Sequence, residues 1–479
     1  MKPKPLTLSP ELQRQQYQHG YIPFKILLFF FVLAAGCILA FLLFLRPSYS
    51  EEEKRELSPF PAFTAEALLS GDYFSDIDTW FSDTFPFREN MVAIHARMQS
   101  FYGIREHVVY TDDVNQFDDD AIPDTPSRPS TSTTVSTTQT LPPYQTTTQT
   151  TETTTVTTTT TTSVNTTSEE TTTTTVSQTG AAPQTLGSIL VVGNCGYEYY
   201  GFSQRAADTY VGAINRAAAA LKDKANVYDI LVPLAIDITL DDETRATVRS
   251  ADQKKAIDYI YGSLDTSIKT VDAYSALRSH RNEYIYFRTD HHWTATGAYY
   301  AYTAFGEAKG VAVPLLSDYQ TNDVEGYLGT LYSKTGKVAA LGNTPDTLRT
   351  YFPLYPTTMQ FTDRQGKTTN WPVVKDVSDW NKSSLYSAFI GGDNPFSVIR
   401  NTALSDGSSC VVIKESFGNA FVPFLTSHYE TVYVIDYRYY DGELVDFVLE
   451  NTVQDVIFIN NMSATRSNNL MEYIDALIP

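Results

Sequence analysis

The sequence predicts an α/β fold in which a mainly parallel sheet is covered by helices on both faces. Short apolar runs alternate with longer helical patterns from residue 187 to the C-terminus. Runs such as Ile189-Leu190-Val191-Val192, Val411-Val412-Ile413 and Val456-Ile457-Phe458-Ile459 are apolar at every position, as strands buried on both sides must be. Residues able to do chemistry fall just after such runs, where α/β sheets hold their ligands.

Composition narrows the partners. A net charge of −20 argues against nucleic acid. Of three cysteines, Cys37 lies in an apolar run, while Cys195 and Cys410 have no ligand-like spacing. No structural metal and no cofactor is expected, and a disulfide between these two is open in an exported domain. The 32 Tyr and 26 Phe fit an aromatic-rich core or a cleft suited to sugar rings.

Residues 1–23 are polar, with Lys2, Lys4 and Arg14, and read as a cytoplasmic tail. Residues 24–46 read as a transmembrane signal anchor. The run from Ile26 to Leu45 is uncharged and bracketed by Lys25 and Arg46, matching the ~20 residues that cross a bilayer as a helix. No cleavage site precedes Glu51-Glu52-Glu53, and the basic side is N-terminal. The expected arrangement is a single-pass cell-membrane protein with its N-terminus in the cytoplasm and the rest outside.

Residues 57–117 form the N-terminal part of the exported domain. Leu68, Leu69, Tyr73, Phe74, Ile77, Trp80 and Phe81 recur at helical spacing, and a second helix over 89–102 and a strand over 107–110 follow. Residues 118–184 collapse into threonine and serine, an insertion too poor in apolar side chains to fold. Strands 108–110 and 189–192 flank this tract and are expected to pair as a hairpin.

The α/β domain spans 185–479. The expected order is strand 189–192, helix 203–224, strand 227–233, helix 252–262, strand 284–287 and helix 295–309, the last capped by Thr294. A mostly β or irregular insertion covers about 311–405. Strand 410–414, helix 418–429, strand 431–435, helix 444–451 and strand 455–460 complete it.

Two stretches carry candidate chemistry. Asp290-His291-His292-Trp293 lies on the turn between strand 284–287 and helix 295–309. Residues two apart share a side there, so Asp290 reaches His292 while His291 faces elsewhere. A carboxylate on one imidazole nitrogen fixes the tautomer and leaves the other nitrogen as a base. The competing reading is a pair that only caps the turn. Ser416, in Lys414-Glu415-Ser416-Phe417-Gly418-Asn419, sits on a strand-to-helix turn whose N–H groups form an oxyanion hole; its competing reading is a plain helix cap. Together the stretches supply nucleophile, base and orienter. Asn460 is an oxyanion donor or a turn-former, Gly392 a backbone donor or part of a tight turn, and Trp293 a sugar platform or a packing residue.

Asp290-His291-His292-Trp293-Thr294, with the Ser416 stretch and Ile435-Asp436-Tyr437-Arg438-Tyr439, resembles the DHHW protein family. That family is similar to the AlgX/AlgJ-type polysaccharide O-acetyltransferases of the SGNH-hydrolase-like superfamily. The resemblance extends to the Trp80…Asp83…Phe85-Pro86-x-Arg88 segment. It implies a flavodoxin-like three-layer sandwich with a circularly permuted motif order. It further implies that Asp290 orients, His292 is the base, Ser416 is the nucleophile and Arg438 shapes the acceptor site. Glu415 stands where the usual motif has Asp. The expected function is a membrane-anchored extracytoplasmic serine O-acetyltransferase or acetylesterase acting on a cell-envelope polysaccharide. A membrane partner would export the acetyl groups. The alternative is a catalytically inactive carbohydrate-binding or envelope-assembly scaffold.

Overall fold

The computed structural model describes residues 183–478 without a break, residues 120–126, and in the N-terminal part 49–50, 55–57, 59–63, 73, 77, 80–81 and 84–85. The chain divides into two units, Met1–Glu106 and His107–Pro479. No helix among the described residues is long and apolar enough to cross a membrane. The span expected at 24–46 lies outside them, as do the strand at 107–110 and most of the threonine-rich tract.

In the first unit, β1 (Tyr49–Ser50) and β2 (Arg55–Glu56) pair antiparallel. Tyr73, Ile77, Trp80 and Phe81 are helical, as their spacing predicts. Trp80 is buried and meets Phe60 edge-on, ring centroids 4.8 Å apart.

The second unit opens with a small antiparallel sheet of β3 (Gln184–Leu186), β4 (Ile189–Val192) and β5 (Cys195–Glu198), in the order β3-β4-β5. Both edges of β4 are taken by its own neighbours, which leaves no edge for the hairpin with 108–110. Helix α1 (Gln204–Ala220) follows, capped by Ser203 as its sequence predicts. Residues 120–126, assigned to the tract by composition, run against this unit. Asp120 exchanges bonds with Phe202 and Gln204, and the carbonyl of Ile122 accepts from Lys255.

Then come β6 (Asn226–Val232), α2 (Gln253–Ser263), β7 (Lys269–Val271) and α3 (Ala295–Lys309). Thr294 accepts from the Gly297 N–H at the start of α3, and Gly310 ends it in the left-handed region. The predicted strand at 284–287 is not one. Tyr286 makes only an isolated bridge to Trp293, and the segment is a tight loop. Tyr286 and Phe287 are buried and Tyr284 is partly so, and they carry the apolar pattern of a strand without a partner in a ladder.

The region 311–405 contains β8 (Thr321–Tyr327), the short helix α4 (Thr330–Lys334), β9 (Asp346–Tyr351), β10 (Thr357–Thr362), β11 (Thr368–Trp371) and β12 (Phe396–Asn401). It is β-rich as expected, but not separate from the domain, since β10, β11 and β12 extend the main sheet. After it come β13 (Ser409–Lys414), α5 (Gly418–Leu425), β14 (Thr431–Asp436), α6 (Leu444–Glu450), β15 (Asp455–Asn461) and α7 (Asn468–Ala476).

The eight-stranded sheet has the order β11-β10-β12-β14-β13-β15-β6-β7. The strands from β14 to β7 run parallel and the other three antiparallel. Alternation along each strand divides the core. Val412, Val434, Ile457 and Ile230 face α3 and α5, whereas Val411, Ile413, Ile435, Phe458 and Leu231 face α1, α2, α6 and α7. The sheet is thus a middle layer between two helical ones. Cys195 and Cys410 are buried free thiols in different clusters, so they do not pair.

Candidate active site

The site lies beyond the C-terminal ends of β13, β14 and β15, which end side by side. Lys414 is level with Asp436 on one side and Ile459 on the other. Glu415 and Ser416 turn the chain from β13 into α5. Ser416 Oγ is 2.7 Å from His292 Nε2, and His292 Nδ1 is 2.6 Å from Asp290 Oδ1. Asp290 can only accept, so it holds the proton on Nδ1 and leaves Nε2 to accept from the serine hydroxyl.

Asp290 is fully engaged. Oδ1 also accepts from the His292 N–H at 3.0 Å, and Oδ2 accepts from the Thr330 N–H at 2.8 Å and its hydroxyl at 3.2 Å. Burial alone would raise its pKa, but the two imidazoles and these bonds hold it well below the usual carboxylate range. Gly329 lies so close that a Cβ there would stand 2.2 Å from Oδ2. The loop bearing Asp290 is itself pinned by buried Asp346 of β9, which accepts from the N–H groups of Arg288 and Thr289 at 3.0 and 2.7 Å. On the other side, the Tyr386 ring stacks on His292 at 3.9 Å and 13°. None of Gly329, Thr330, Asp346 and Tyr386 was singled out for chemistry from sequence. No spacing in the sequence ties these residues to Asp290.

Below the serine, charge is buried and paired. Lys414 is wholly buried, 2.9 Å from Asp436 and 3.2 Å from Asp393. Arg438 binds Asp436 at 2.8 and 2.7 Å and Asp393 at 2.9 Å, and Asn419 donates to Asp393 at 2.9 Å. Arg438 is therefore committed to bracing the turn. Glu415, buried, accepts from the N–H groups of Phe417 and Asn461 at 3.1 and 3.0 Å, and its carboxyl lies 3.3 Å from Ser416 Oγ, whose one proton points to His292. Burial pushes its carboxyl above the ordinary value.

The packing decides between the readings of the remaining candidates. Trp293 is buried, and its indole N–H donates to Phe417 O at 3.0 Å, tying one half of the site to the other instead of offering a face to a sugar. Asn460 is also buried and donates to the Tyr210 hydroxyl at 3.3 Å in a core network with Asp229. Gly392 has φ +82° and spends its N–H on Phe389 O, a turn residue and not an oxyanion donor. His291 points away from the Asp290–His292 bond, with Nδ1 2.6 Å from the Thr330 hydroxyl, while its ring leans on His292 with centroids 3.8 Å apart. Asp290, His291 and His292 offer ligand atoms within 4.8 Å of one another, but their hydrogen bonds to each other, Ser416 and Thr330 fit proton transfer better than a metal.

Fold and site together define a mixed α/β protein with a large, partly parallel sheet carrying a serine–histidine–aspartate line at its strand ends. The family model described as DHHW protein matches residues 53–435, and the chain belongs to the DHHW family. The crystal structure of a DHHW family protein from Eubacterium siraeum DSM 15702 is 32% identical, covering 63% of this chain and 99% of its own, with TM-score 0.58. Bacillus cereus PatB1, solved with a sulfonyl adduct, is 19% identical over 60% of this chain and 97% of its own, with TM-score 0.50, a likeness of fold. The O-acetyltransferase domain of Pseudomonas putida AlgJ is 13% identical over 61% of this chain and 99% of its own, with TM-score 0.33. No curated protein is similar to the chain in sequence.

Proposed function

We propose that this chain is a serine acyltransferase or esterase that moves acetyl groups on a cell-envelope polysaccharide, anchored outside the membrane by residues 24–46. The observation that carries the reading is the continuous line from Ser416 Oγ through His292 to Asp290, at 2.7 and 2.6 Å. Ser416 Oγ attacks the acetyl carbon of a donor while His292 Nε2 takes its proton. The tetrahedral intermediate collapses, the leaving oxygen receives that proton, and an acetyl ester remains on Ser416. A sugar hydroxyl or water then attacks this ester in the reverse sequence. The acetyl group, the polysaccharide and an acetyl-exporting membrane partner rest on the motif resemblance.

The test is acetylation of the full-length protein and of Ser416→Ala with 4-nitrophenyl acetate. The parent is expected to release 4-nitrophenol in a burst and to carry an acetyl adduct on Ser416 by mass spectrometry. In the variant the rate should fall by about a thousandfold or more. Equal background rates in both proteins would count against an acyl-enzyme and favour a binding or scaffolding role. Because PatB1 carries a sulfonyl adduct, a sulfonyl fluoride is a second probe of the same serine.

A further inference from the structure

His291, the second histidine of the motif, takes no part in the steps above. Its Nδ1 lies 2.6 Å from the Thr330 hydroxyl, which in turn reaches Asp290 Oδ2 at 3.2 Å. Asp290 only accepts, so the Thr330 proton points to Asp290 and the Thr330 oxygen accepts from His291 Nδ1. His291 Nε2 is then an acceptor, and it has no hydrogen-bond partner among the described residues. The His291 side chain is 23% exposed, against 8% for His292 and 1% for Asp290. It is the member of the trio that faces outward, with its ring against the base that serves Ser416.

Two charged groups share this rim. Glu198, at the end of β5, and Lys334, in α4, form an ion pair at 3.1 Å, with side chains 14% and 53% exposed. The main chain holds β5 against the motif loop, since the Gly196 N–H donates to Arg288 O at 2.8 Å. The Tyr332 N–H donates to Thr289 O at 3.0 Å and fixes α4 to the same loop. Burial pushes His291 down to about 4, with the His292 ring adding to it. Burial opposes ionisation of Glu198, but Lys334 and then His291 hold it at about 2. At neutral pH the rim presents a neutral imidazole, a carboxylate and an ammonium. A carboxylate accepts from two neighbouring hydroxyls, an ammonium donates to their oxygens, and the imidazole nitrogen takes a third bond.

We infer that His291, Glu198 and Lys334 form the acceptor subsite, holding a saccharide diol with one hydroxyl oxygen facing the acyl carbon on Ser416. The inference rests on the acyl-enzyme proposed above and names what receives the acyl group. In the transfer step the hydroxyl oxygen bonds to the acyl carbon and its proton passes to His292 Nε2. The bond from that carbon to Ser416 Oγ breaks, and the proton returns to Oγ.

The experiment measures how the acyl-enzyme of the full-length protein partitions between sugar and water. After loading with 4-nitrophenyl acetate, it is chased with methyl α-glucopyranoside, and acetylated sugar and free acetate are counted. The ratio is taken per acyl-enzyme consumed, so a change in acylation rate does not enter it. The parent is expected to show saturable transfer. In His291→Ala and Glu198→Gln the ratio should fall by about tenfold, with a raised KM for the sugar, and His291→Gln, which keeps a polar group at the end of the side chain, should recover part of the loss. An acyl-enzyme that forms but ignores the sugar, or variants with an unchanged ratio, would overturn the subsite alone. No acyl-enzyme in the parent would overturn the Ser416 reading and this one with it.

Discussion

Asp290→Asn replaces one carboxylate oxygen by NH₂ at constant shape. The carboxylate accepts four hydrogen bonds, two from His292 and two from Thr330, at 2.6 to 3.2 Å. The amide has one accepting end and must fail on one side. With its oxygen toward His292, its NH₂ faces the Thr330 N–H across 2.8 Å, donor against donor, which costs about 1–3 kcal/mol of stability. With the amide reversed, NH₂ faces His292 Nδ1, and the ring must carry its proton on Nε2, where Ser416 needs an acceptor. The close approach of Gly329 leaves no room for the side chain to swing aside. Reversal only trades the clash at Thr330 for one with the His292 N–H, 3.0 Å from Oδ1, so neither orientation satisfies every donor. With the carboxylate charge gone and the Nδ1 proton no longer enforced, turnover should fall by about three to four orders of magnitude. Stopped-flow release of 4-nitrophenol reads the rate, and urea unfolding separates it from lost stability. A folded variant that keeps its turnover within tenfold of the parent would refute the role given to Asp290.

Three further perturbations follow from the same contacts. Gly329→Ala would force its new methyl against Asp290 and move the carboxylate by about 1 Å, so burst rates should drop about a hundredfold while the fold survives; an unchanged rate would show that the loop yields freely. Lys414→Met leaves Asp436 and Asp393 with one cation in place of two in a buried cluster, and urea denaturation should show a loss of about 3–5 kcal/mol. Asp229 is wholly buried, and desolvation pushes its carboxyl from 3.8 up to about 7. Between those values this residue is ionised in the unfolded chain and protonated in the folded one, so the stability it contributes is greatest below about pH 4 and is lost as pH rises to about 7. At about 1.4 kcal/mol per pH unit the loss is about 4 kcal/mol. Asp229→Asn should therefore gain on the parent between pH 5 and pH 8, and a pH-independent difference in urea midpoint would count against the raised value.

Much of this protein was determined locally. Thr294 caps α3 and Ser203 caps α1 because a hydroxyl accepting a backbone N–H needs only the next turn of chain. The runs 410–413, 432–435 and 456–459 inside β13, β14 and β15 are apolar because both faces of a central parallel strand are covered. Asp290 to His292 is a two-residue reach, and the bond is there. What tertiary structure alone decided is long-range pairing. Tyr284 to Phe287 has the composition of a strand yet lies outside every ladder, since a strand exists only where a partner offers its edge. The region around 311–405 carries no mark that three of its strands join the main sheet, or that its Gly329-Thr330 would close on Asp290. Trp293 and Asn460 were legible as residues at the site's edge, but whether an indole or an amide faces a ligand or a core depends on what packs against it. For these two it is Phe417 and Tyr210, 124 and 250 residues away along the chain.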